Sequence, residues 1–135
     1  MIRRQIVPEL KRISATRIVA TPAALDAAVW PNENDALALR IAQDEMLVTA
    51  KVDSKLINDP HAIVVPDAGF VGTWLAPDEA IDFLERECEW ELPNERPTLA
   101  QGAVAGLPVK LWLEEERILI MVPAPYATDL KERMV

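Results

Sequence analysis

Few residues in this chain carry the side chains of catalysis. The single histidine, His61, follows Asp59-Pro60 at the start of an expected strand. A general base needs a partner group within hydrogen-bond reach, and no sequence neighbour supplies one, so a turn or edge histidine is expected. The single cysteine, Cys88, falls on the apolar stripe of an expected helix, where a thiol is usually a small core residue and seldom a nucleophile. Glu85, Glu87, Glu89 and Glu91 have the density of a metal or paired-carboxylate site. No histidine joins them, and they are spread around a helix and its exit, which fits a solvated face. Gly69-Phe-Val-Gly72 and Gly102-Ala-Val-Ala-Gly106 lack the strand-to-helix setting of phosphate loops and read as turn and strand glycines. The indoles say more. Trp112 shares a strand face with Lys110, and an amphipathic Trp on a half-covered face is a common interface anchor. Trp74 is open to the same reading. No catalytic residue, metal ligand or cofactor is assigned.

The elements that must position these residues follow from periodicity. Thr98 to Val122 reads as three strands, roughly Thr98–Ala105, Pro108–Leu113 and Arg117–Val122. Ile118-Leu-Ile-Met-Val122 is apolar at every position, so both of its faces should be buried. Ala105-Gly106-Leu107-Pro108 is a turn, and Glu114-Glu115-Glu116 a hairpin tip whose adjacent carboxylates need solvent. Leu37, Leu39 and Ile41 alternate, and Met46 to Lys51 returns after Gln43-Asp44-Glu45, a hairpin with a three-residue connection. A second hairpin is expected from His61–Val65 and Phe70–Leu75 around Pro66-Asp67-Ala68-Gly69, with Gly69 free to take a positive φ.

Thr21-Pro22 starts a short helix that runs to Val29. Ala76-Pro77-Asp78-Glu79 starts the main helix, with Ala80, Ile81, Leu84 and Cys88 as its buried stripe. Residues 89–97 form an acidic, proline-broken connection. Tyr126, Leu130 and Met134 mark a C-terminal helix that docks on the sheet. Ahead of Thr21, Ile2, Ile6, Leu10 and Ile13 are spaced loosely and interrupted by Pro8; a short helix over Glu9 to Ser14 and a simple arm both fit.

Composition bounds the class. The 135 residues are half hydrophobic, enough for one domain with its own core. No apolar run approaches a membrane span, the N-terminus has no signal-like apolar segment, and one cysteine cannot form an internal disulfide. A cytoplasmic protein is expected. Residues 1–24 carry five cations against Glu9 alone, a net of +4, which leaves −12 for the remainder of a chain at −8. So acidic a body argues against nucleic acid. The basic arm, with Arg3, Arg4 and Arg12, suits an acidic surface on this chain or on a partner.

The order of these motifs resembles that of sarcosine oxidase gamma subunits, whose fold is shared with the folate-binding aminomethyltransferase of the glycine cleavage system. Leu39-Arg-Ile-Ala-Gln-Asp-Glu-Met-Leu47 resembles their "LRLxPDEWLL" strand-turn-strand. Phe70 to Ala80 looks like their strand running into an "LSGPxA" helix start, and Cys88 to Leu92 sits where they have "CPxDL". Ala105-Gly-Leu-Pro-Val109 is similar to "LAGVPV", and Val122-Pro-Ala-Pro-Tyr-Ala127 to "LVPRSFA". The similarity runs over about 39–131, and nothing in it matches the aminomethyltransferase's catalytic aspartate region. It implies a non-catalytic accessory subunit, or a stand-alone relative.

The expected fold is therefore α+β, a mostly antiparallel sheet of hairpins with two main helices on one face, aminomethyltransferase-like. Residues 1–36 would form a basic arm and short helix, and 37–135 a single domain. The expected partner is a larger oxidoreductase subunit, or a second copy of the chain, with no nucleic acid and no membrane. Trp112, Lys110, Trp74, Arg3, Arg4 and Arg12 are the candidate interface residues. The alternatives are a homo-oligomer, and a folate- or pterin-binding module stacking its ligand on Trp74, Trp112 and Tyr126.

Overall fold

The computed structural model describes residues 9–135. The described chain runs β1 (Lys11–Val19), α1 (Pro22–Ala27), β2 (Ala38–Ala42), β3 (Glu45–Val48), β4 (Ile63–Leu75), α2 (Pro77–Glu87), β5 (Thr98–Val104), β6 (Leu107–Leu113), β7 (Ile118–Pro123) and α3 (Ala127–Met134). The strands are hydrogen-bonded in the order β2-β3-β1-β4-β7-β6-β5. Antiparallel ladders and separate helices make this the α+β class expected. Two compact units are present, one of residues 13–68 and the other of 69–135 with the stretch ending at Arg12.

In the unit of residues 13–68, β1 stands where a short helix or an arm was expected. Ile13, Thr16, Ile18 and Val19 are β-branched, and β3 offers them a ladder from Thr16↔Val48 to Val19↔Glu45. Those partners outweigh a loose helical spacing. Thr21 caps α1 by accepting the Ala24 N–H at 3.2 Å, with Pro22 at the first helical position. The helix stops at Ala27, short of the expected Val29, because Ala28 is already extended. The β2–β3 hairpin has a two-residue connection, Gln43-Asp44, since Glu45 joins the ladder opposite Ala42 across a bulge after Arg40. Arg40 ties this tip to α1, donating to the Asp26 carboxylate at 2.8 Å and the Gln43 carbonyl at 2.6 Å. Ile18, Ala24, Leu25, Met46, Val48 and Ile57 form the unit's core.

The expected second hairpin does not form. Ile63–Leu75 is one continuous strand, and Gly69 is not among the positive-φ residues. A hairpin would have to lay 61–65 beside 70–75, but β4 already has β7 on one edge, from Phe70↔Pro123 to Leu75↔Ile118, and β1 on the other. That ladder buries Val71, Thr73 and Leu75, and the φ that Pro66 imposes is compatible with extended chain.

In the unit containing residues 69–135, α2 and α3 share one core with β4, β5, β6 and β7, the two-helices-on-one-face layout expected. Phe83, Leu84, Leu130 and Met134 pack with Leu111, Leu113, Ile118 and Ile120. The stripe of α2 is shifted by one flank from the expectation. Phe83 is wholly buried and Ile81 is 39% exposed, because Ala80, Phe83 and Leu84 are the positions i, i+3 and i+4 that face the sheet. Likewise α3 buries Leu130 and Met134, while Tyr126, ahead of its first turn, stays exposed. Trp90 lies across β5: its indole N–H donates to the Ala103 carbonyl at 2.8 Å, and its ring occupies the space a Cβ on Gly102 would take. Among the described residues, no helix is long and apolar enough to cross a membrane.

Candidate interaction face

Alternation along β6 separates two sets of side chains. Leu107, Val109, Leu111 and Leu113 are buried, whereas Lys110 and Trp112 point to the opposite face and are half-buried. Register extends that opposite face across four strands. One row runs Trp74, Leu119, Trp112, Leu99, and the next runs Gly72, Met121, Lys110, Gln101. Of the expected interface residues, Trp74 and Trp112 thus share one row with Leu119 between them, and Lys110 lies in the next, an arrangement set by antiparallel pairing.

The rows are held by specific bonds. The Trp112 indole N–H donates to Glu114 Oε2 at 2.8 Å, and Arg117 Nε donates to Glu114 Oε1 at 2.9 Å. The Glu114 N–H also donates to the Arg117 carbonyl at 3.0 Å, closing the β6–β7 hairpin. Arg117 then lies over Trp74, its Cζ 3.7 Å from the ring centroid. Such a stack contributes about 0.5–1 kcal/mol at an exposed site and more when water is excluded. Lys110 Nζ donates to Gln101 Oε1 at 2.6 Å and sits 5.7 Å from the Phe70 centroid. A groove of about 470 Å³ lies beside Lys110, with Phe70, Pro108 and Pro123 among its walls.

This face is less bare than the sequence implied. Every residue from Ile118 to Val122 is buried within the chain itself, Met121 completely and Leu119 to 4% exposure. The strand therefore needs no second chain to cover it. What stays accessible is the fringe of the rows, where Trp74 is 37% exposed. Glu114 and Arg117 were missed as site residues because the acidic tip was assigned to solvent. The available signal was parity: residues 110, 112 and 114 follow one another on the same face, so a carboxylate two residues beyond Trp112 is within reach of its indole.

The other candidates are dispersed. Arg12 is exposed on β1, and Arg3 and Arg4 lie outside the described residues. His61 is exposed in the turn ahead of β4, its backbone N–H donating to Asp59 Oδ1 at 2.9 Å. The expected strand begins at His61, whereas β4 begins two residues later, at Ile63. Asp59 also accepts the Thr21 N–H at 3.0 Å. The two backbone donors, His61 first and Thr21 second, hold its carboxyl below the ordinary carboxylate range. Cys88 ends α2, packs against the larger core and donates to the Trp90 carbonyl at 3.3 Å. Among the described residues, no group of three or more His, Cys, Asp or Glu side chains is placed to hold a metal ion. No protein family matches this chain, and no curated protein matches it either.

Proposed function

We propose that the chain is a non-catalytic accessory subunit that docks on a larger oxidoreductase, in the manner of the gamma subunit of a heterotetrameric sarcosine oxidase and on an aminomethyltransferase-like fold. One observation carries the reading: the Trp74–Arg117 stack, braced by Glu114 and flanked by Trp112. Tryptophan and arginine dominate the energetics of protein interfaces, and an anchor already held in place loses little side-chain freedom on docking. The motif similarity supplies the kind of partner, and the acidic body of the chain disfavours nucleic acid as an alternative.

The test is affinity purification of the tagged full chain from its native cells, followed by native mass spectrometry. A stoichiometric complex with an oxidoreductase subunit is expected, and Trp74→Ala combined with Arg117→Ala should release it. A chain recovered alone, or solely as a homodimer, overturns the proposal. Self-association is the second reading. It draws on β4, where Ile63 and Val65 share one strand face and are 54% and 43% exposed. Sedimentation of the isolated chain separates the two readings. A pterin stacked on Trp74 is the weaker alternative, because Arg117 already covers one side of that ring.

A further inference from the structure

The core of the unit of residues 13–68 has a thin roof. Its helix, α1, has six residues and contributes Ala24 and Leu25. Beyond the reach of those two side chains, the core face continues. Ser14 and Thr16 extend the face of Ile18 along β1, since they alternate with it, and Ala50, Val52 and Val64 pack against the same core. With Lys51, these residues line a groove of about 480 Å³. That volume falls in the range of small-molecule sites. One wall is fixed by the Thr16 hydroxyl, which donates to the Ala50 carbonyl at 2.6 Å.

The chemistry of the lining is selective. Its apolar members are alanine, valine and proline, and no aromatic ring is present for a flat ligand to stack on. Lys51 is the one charged residue among those lining the groove, on a chain whose net charge is −8. Ser14 adds a hydroxyl donor. We infer that this groove binds a small aliphatic carboxylate, its acyl body along Ala50, Val52 and Val64 and its carboxylate against Lys51 and Ser14. Burial of the acyl chain supplies most of the affinity, because an ion pair at an exposed lysine is weak. Charge decides which head group is accepted. The inference stands apart from the accessory role, since the groove shares no residue with the Trp74 face.

The experiment is a titration of the isotope-labelled full chain with octanoate, followed by amide chemical shifts, with octylamine and octanol as probes of the head group. The expected result is a saturable response confined to residues 14–16, 49–52 and 64–65, several-fold weaker for octylamine. Lys51→Glu should weaken octanoate several-fold and leave octanol unchanged. Lys51 is exposed, so this variant keeps the fold, which the remaining amide shifts verify. Shifts that are absent or scattered over the surface overturn the inference. So does octylamine binding as well as octanoate, or undiminished octanoate binding by Lys51→Glu.

Discussion

At the scale of single residues, Asp59 does more than its turn position suggests. Its two carboxylate oxygens are divided between the His61 N–H at 2.9 Å and the Thr21 N–H at 3.0 Å, so one side chain joins the exit of β1 to the entry of β4. Both donors favour the ionised form, and the carboxyl titrates below its usual 3.8. A group whose folded pKa is depressed stabilises the fold fully above its unfolded pKa and loses that contribution as pH falls through the folded value. Asp59→Asn should therefore be less stable than the native chain at neutral pH, with the gap closing as pH falls through and below the ordinary carboxylate range. Urea denaturation of both proteins across that interval is the measurement. A gap of constant size would show that the carboxylate's charge is irrelevant to the joint. Asn58-Asp59-Pro60 was legible in the sequence as a turn. Its second donor was not, because Thr21 lies 38 residues away and no local pattern links the two.

At the scale of elements, turn residues and strand partners give conflicting instructions, and partners win. The β5–β6 hairpin was legible because both agree: Ala105 and Gly106 connect Val104 to Leu107, with φ of 53° and 78°. Two left-handed residues in a two-residue loop match the twist of the flanking strands. Pro66-Asp67-Ala68-Gly69 has equally good turn chemistry, yet β4 runs straight through it because β7 and β1 occupy its two edges. The β1 error is of the same kind, a strand specified by β3 and not by its own spacing. Local residues thus fix a turn only where the strands on either side have no better partner. Ala105 is the weak point of the hairpin that does form, since an L-residue with a Cβ is strained by about 1–2 kcal/mol in the left-handed region. Ala105→Asn, which restores the residue pair favoured in such turns, should raise stability by about 0.5–1 kcal/mol without altering the register. A thermal melt reads the gain, and an unchanged or lowered midpoint would mean the loop tolerates alanine without strain.

At the scale of the whole molecule, the sequence correctly marked Ile118–Val122 as buried on both faces, but not how the second face is covered. The expected helices lie on one face alone, and Trp112 and Lys110 on the other were expected at an interface. In the structure, Met121 is completely buried within the single chain. The case for a partner therefore rests on the fringe, at Trp74 and Arg117, and not on a missing layer. These two accounts differ in the isolated chain. If the second face were an interface open in the free protein, Met121→Lys would be tolerated until a partner was added. Because Met121 is already buried, the same substitution places an unpaired ammonium at a fully buried position next to Lys110 in the ladder and should destabilise the isolated chain by about 3–5 kcal/mol. Trp74→Ala, at a position 37% exposed and stacked on Arg117, should lower the stability of the isolated chain by only about 1–2 kcal/mol. Its larger effect should be on capture of the partner. Urea denaturation of the two purified variants, beside affinity capture from native extract, distinguishes cover from anchor: a stable Met121→Lys monomer would restore the open face, whereas an unfolded one leaves the Trp74 fringe as the docking element.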